Sequence, residues 1–134
     1  MPAAIPQALR SVLAVLAGSI AMVVLVIVCT LLAAHAMNII PGHPTPGYLA
    51  INAACSLLAA VAGGWIAARL SGYKPLHHAL ALAMIMATLS LVMMIQPSLA
   101  QPYDYQLAMA ILPPFAALAG GWLAARRMGV GITR

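Results

Sequence analysis

The sequence predicts an all-α integral membrane protein: a four-helix bundle, up-down-up-down, built from two helical-hairpin repeats. Three observations carry this. The 134 residues are 65% hydrophobic and only 5% charged, with a mean hydropathy of +1.06, whereas water-soluble domains carry roughly 25% charged residues. Four long apolar segments alternate with short connections rich in Pro and Gly. One stretch also occurs twice, as AAVAGGWIAAR at 59–69 and AALAGGWLAAR at 116–126. The composition excludes a soluble globular domain and a disordered chain. Strands of alternating apolar and polar residues are absent, which argues against a membrane β-barrel.

The chain reads as one transmembrane domain, 1–134, with helices at about 11–36, 47–69, 76–96 and 104–127. A helix needs about 20 apolar residues to cross a hydrocarbon layer of ~30 Å. All four qualify; the third is the shortest and the first has length to spare for tilt. The first could be mistaken for a secretory signal, with Arg10 before it and Ala34-His35-Ala36 after it. Its apolar stretch from Ser11 to Ala34 has 24 residues, beyond the 7–15 of a signal core, so a retained helix is expected. Pro41, Gly42, Pro44 and Pro46 end the first segment, Gly72 and Pro75 separate the second from the third, and Pro97 and Pro102 precede the fourth. These helix-stopping residues fall where turns belong. Connections this short make successive helices antiparallel neighbours.

The charges orient the bundle. Six Lys/Arg and one acidic residue give a net charge of +5. Arg10 precedes the first segment, Arg69 and Lys74 lie between the second and third, and Arg126, Arg127 and Arg134 follow the fourth. The other two connections hold no Lys or Arg, and Asp104 lies there. The positive-inside rule makes the cationic side cytoplasmic, with both termini inside, as in a multi-pass protein of a bacterial inner membrane. Trp65 and Trp122 each stand four residues before an Arg, Arg69 and Arg126. They are expected as interface anchors on the inner side, with Tyr48, Tyr103 and Tyr105 on the outer. The cations form no patch interleaved with aromatics and match no docking motif, so nucleic acid is not an expected partner.

The duplication suggests two hairpins, about 9–72 and 76–129, related by a pseudo-two-fold axis along the membrane normal. Outside the eleven-residue match the likeness is weak: Leu9-Arg10-x-x-Leu13-Ala14 against Leu76-His77-x-x-Leu80-Ala81. The repeated segment lays out paired small-residue ridges. Ala59, Gly63 and Ala67 form one and Ala60, Gly64 and Ala68 the other; Gly120 and Gly121 centre the equivalent pair, and Ala14-x-x-x-Gly18 is a shorter version in the first helix. In lipid, small residues that let backbones approach become the contact surface. These ridges suit packing within the chain, and they would also suit a homo-oligomer or docking into a larger membrane complex.

Chemistry-bearing residues are scarce. The apolar segments hold no Asp, Glu, Lys or Arg, although such residues usually mark proton relays and ion pathways. Nothing in the sequence assembles a nucleophile with a base, an acid/base pair or a metal site, so no catalytic residue, metal or cofactor is expected. Cys29 and Cys55 read as small buried hydrophobes. His35 lies about 25 residues beyond Arg10, roughly 37 Å along a helix, and so on the opposite side from His77 and His78. All three read as interfacial polar groups unless a second chain completes a site. The nine methionines do not recur at one helical spacing, which favours packing over Cu(I) ligation. Asn52 and Ser56 share a face with Ala59 and Gly63, and Pro113-Pro114 removes backbone donors midway along the fourth segment. A kink is expected there. Asn52, Ser56 and Pro113 form the one possible polar path.

Gly63-Gly64-Trp65-Ile66-Ala67-Ala68-Arg69, then Lys74-Pro75-Leu76-His77-His78, Pro102-Tyr103 and Gly120-Gly121-Trp122 together resemble a group of small four-helix bacterial membrane proteins of unassigned function. The resemblance implies a fold and a topology and carries over no functional residue. The expected role is a non-catalytic structural or accessory subunit in the lipid bilayer. The alternatives are a small oligomeric channel or transporter for a neutral or weakly polar solute, and a subunit that binds a cofactor or pigment.

Overall fold

The computed structural model describes residues 6–95 and 101–129. Within them the chain is all-helical: α1 spans Gln7–Ala36, α2 Pro46–Ser71, α3 Pro75–Met94 and α4 Tyr103–Arg127. Each is long and apolar enough to cross a membrane. Even α3, with 20 residues, reaches about 30 Å at ~1.5 Å per residue.

The ends follow local chemistry. Thr45 caps α2 by accepting from the Tyr48 amide at 3.3 Å, with Pro46 in the first turn. Gly72 ends α2 in the left-handed conformation, at φ 66°, which costs a glycine little. α1 starts four residues before the expected Ser11, so Arg10 lies inside the helix. There its Nε donates to the Leu70 carbonyl at 3.1 Å, placing a cation on the exposed C-terminal carbonyls of α2. α3 ends at Met94; the expected end at Gln96, the Pro97 turn and Arg134 lie outside the described residues.

Two end-to-end contacts fix direction. Arg10 meets Leu70 at one end of the α1/α2 pair and Thr30 meets Asn52 at the other, so the two helices are antiparallel. Asn52 also meets Tyr105, joining the N-terminal parts of α2 and α4, which therefore run parallel. α2 is the spine: it touches all three other helices, and its contacts with α1 and α4 are far more extensive than that with its sequence neighbour α3. α4 rests on α2 and α3. α1 leans on α2, brushes α3, and within the described residues makes no contact with α4.

The core is made of backbone and alanine. Ala60, Ala67, Ala68, Ala79 and Ala117 are fully buried, and Leu82 is the one large side chain buried to that degree among the described residues. The large apolar side chains point outward instead, as along α1, where Ile20, Leu31 and Leu32 are more than half exposed. Lipid tails are as apolar as leucine, so helices in a bilayer gain most from close backbone approach.

Candidate functional site

The small-residue ridges are consumed inside the chain. A Cβ on Gly18 would meet the Gly63 carbonyl oxygen at 2.6 Å and the Ala67 Cβ at 2.8 Å. A Cβ on Gly64 would run into the Ala117 carbonyl of α4, and one on Gly120 into the Val61 carbonyl of α2. A Cβ on Gly121 would collide with Ala79 of α3. The two copies are therefore used differently. In α2 the first glycine faces its own hairpin partner α1 and the second faces α4. In α4 the first faces α2 and the second faces its own hairpin partner α3. An even two-fold relation between hairpins would give matching glycines matching neighbours. It would also pair α1 with α4 as α3 is paired with α2, and that contact is missing among the described residues. The register expected for α1 and α3 does not match their burial either. Ala14 and Gly18 are buried, whereas Ala81 is half-buried and Ile85 exposed; α3 buries Ala79, Leu82 and Ala83 instead.

Above the glycines, toward the N-terminus of α2, lies the polar path, and the structure divides it. The Thr30 hydroxyl donates to Asn52 Oδ1 at 2.7 Å, and Asn52 Nδ2 pairs with the Tyr105 hydroxyl at 2.7 Å. One amide thus ties α1, α2 and α4 together. Tyr105 is half-buried against Asn52 while Tyr103 stays 67% exposed. Two residues apart on a helix are about 200° apart in direction, so at one depth the two rings face different surroundings. That signal was present in the sequence.

Ser56 and Pro113 meet elsewhere. They line an open cavity of about 240 Å³ between the helices, with Met22, Met86, Ser90 and Met109. Ser90 and Met109 also line a second cavity, of about 200 Å³, which continues toward Gln101 and Gln106 past Met93 and Met94. Five methionines from three helices thus surround adjoining space, although their sequence spacing showed no common face. α4 stays helical from end to end through Pro113 and Pro114. The prolines lack an N–H, so the carbonyls of Met109 and Ala110 lose their usual helical donors.

The cysteines, Cys29 of α1 and Cys55 of α2, are half-buried rather than buried. The anchors form matched pairs: Arg69 lies over the Trp65 ring at 4.9 Å from its centre, and Arg126 over Trp122 at 3.9 Å. These four residues share the cationic end with Arg10 and Lys74. His35 is exposed at the far end of α1. His77 is exposed and His78 is buried, its Nδ1 3.0 Å from the Lys74 carbonyl oxygen and its ring edge-on to Tyr73 at 5.9 Å. Adjacent on the helix, the two nevertheless border the same cleft.

No protein-family model matches the chain, and no curated protein or solved structure is similar to it.

What the arrangement can do chemically is narrow. Among the described residues every buried side-chain nitrogen or oxygen has a hydrogen-bond partner, and the cationic side chains lie at one end. Hydrogen bonding and packing are the chemistry on offer in the helical interior.

Proposed function

We propose that this is a non-catalytic multi-pass membrane protein, a structural or accessory subunit, with the Arg- and Lys-bearing end on the cytoplasmic side of a bacterial inner membrane. The observation that supports it best is the Asn52 cluster. The amide most suited to line a polar path is spent on Thr30 and Tyr105, and a side chain holding three helices together is poorly placed to hydrate a passing solute. The internal use of both Gly-Gly pairs has a second consequence: assembly with other chains must use a different surface, and the outer side of α1 is the largest apolar one left uncovered.

Native mass spectrometry of the protein, gently extracted from its own membranes, tests this. Defined unrelated subunits co-purifying in fixed ratio are the expected result. A bare homo-oligomer that conducts solute in liposomes would overturn it. Reporter fusions at Gly42 and Gly72 test the orientation, and cytoplasmic activity at Gly42 would reverse it.

The adjoining cavities favour a second reading, a binding or transport site for a small, weakly polar solute among Ser56, Ser90 and Met109. Substituting Ser56→Leu would then abolish flux or binding while leaving the helices packed.

A further inference from the structure

We propose that the cleft between the cationic ends of α1 and α3 is a binding site for a phospholipid with an anionic headgroup. The proposal rests on the membrane reading above and is independent of the direction in which the chain is inserted.

The cleft has a volume of about 540 Å³, and it lies between two helices, α1 and α3, that touch only slightly. Its walls are apolar: Val12, Val15 and Leu16 from α1, Ala81 and Ile85 from α3. Along α3 it runs from His77 to Ile85, about 12 Å at ~1.5 Å per residue. A slot of this size inside a bilayer cannot stay empty, because its walls would forgo their dispersion contacts. Water fills it poorly, because apolar walls offer no hydrogen bonds. An acyl chain fits both the shape and the chemistry.

The mouth selects the headgroup. Ser11, Tyr73, Lys74, His77 and His78 surround it. The turn that carries them is held firmly. Lys74 adopts φ 44°, His78 sits on its carbonyl oxygen, and the Lys74 ammonium lies 5.7 Å from the centre of the Tyr73 ring. The guanidinium of Arg10, next to Ser11 in sequence, packs on the Gly72 turn just before them. No carboxylate side chain competes at this end: the one acidic residue of the chain is Asp104, in the first turn of α4 at the opposite end. A phosphate diester with no cation of its own is therefore attracted by Lys74 and hydrogen-bonded by His77. A zwitterionic headgroup would press a second cation against the same lysine. Basic pockets between transmembrane helices hold anionic headgroups in this way.

The test is competitive lipid retention. The full-length protein is reconstituted in vesicles of equal parts phosphatidylglycerol and phosphatidylcholine, gently extracted, and read by native mass spectrometry. Retained phosphatidylglycerol is expected to exceed phosphatidylcholine roughly tenfold. The double variant Lys74→Gln/His77→Gln, on two exposed side chains, should keep a bound lipid but lose the preference. Arg127→Gln, a cation at the same end but off the cleft, should keep it. Ala81→Trp should fill the slot and lose bound lipid of both kinds, with circular dichroism confirming its helices. Equal retention of the two lipids by the wild-type protein would overturn the proposal, as would an unchanged preference in the double variant. Release of the protein from membranes by alkaline carbonate would instead overturn the membrane reading on which it rests.

Discussion

Two segments of nearly identical sequence, 59–69 in α2 and 116–126 in α4, do different work. Gly63 lets α1 approach and Gly64 lets α4 approach, whereas Gly120 meets α2 and Gly121 meets α3. The difference arises from position rather than composition. α2 is sandwiched between α1 and α4, so its two ridges, about 100° apart, each have a separate neighbour. α4 sits beside α2 and α3, and turns the other ridge of each pair to each role. A Gly-Gly pair thus specifies that two close approaches will occur, and leaves to the assembly which glycine receives which helix.

Alanine substitutions separate the roles. Gly64→Ala is expected to be the most damaging, at about 3 kcal/mol, because the new methyl group meets the backbone of Ala117 and both helices are also packed against α3. Gly63→Ala should cost less, about 1–2 kcal/mol. It meets the Gly18 carbonyl and the Met22 Cβ, each at 2.9 Å, and α1 is free to move outward. Loss of helicity in a detergent-unfolding titration compares them; equal costs would break the asymmetry.

Gly121→Ala meets only the Ala79 side chain at close range, so the two should be coupled. The single change is expected to cost about 2 kcal/mol, and Ala79→Gly made in the same protein should recover most of it. A double-mutant cycle reads this directly, and full additivity would remove α3 as the neighbour of Gly121.

Asn52→Leu breaks the bonds to Thr30 and Tyr105. At about 0.6 kcal/mol per interhelical hydrogen bond the loss is about 1 kcal/mol, with the bundle still assembled. Abolished flux in liposomes with assembly intact would instead favour the transport reading.

The smallest effect concerns the two Trp–Arg pairs. Arg126 lies closer to its ring than Arg69 does. Arg126→Ala should therefore shift Trp122 fluorescence more than Arg69→Ala shifts that of Trp65, at a stability cost of about 0.5 kcal/mol or less in each case. A larger shift at Trp65 would make the two copies equivalent at this end.

Much of the fold was legible from residues alone. Pro46, Gly72 and Pro75 mark helix ends that the structure places within one to two residues, and the Lys/Arg positions described share one end. Arg10 shows where legibility stopped. As a charge near an apolar run it reads as an orientation signal; its bond to Leu70, sixty residues away, follows only from the antiparallel pairing of α1 and α2. The candidate site behaved likewise. Asn52 and Ser56 share a helical face in the sequence, yet one joins a hydrogen-bonded cluster and the other a methionine-lined cavity, because α1 and α4 present Thr30 and Tyr105 to the first and Met22 and Met109 to the second.

The sequence by itself determined that there would be four apolar helices, where they would turn, and that small residues would let them approach closely. Those properties depend on composition and on local backbone chemistry, which each segment carries independently of its neighbours. The tertiary structure alone decided which face of each helix meets which partner. An apolar helix in an apolar solvent has little amphipathic pattern to declare its inner side, so the choice falls to the fit of backbone against backbone, and that fit exists only once the helices are assembled.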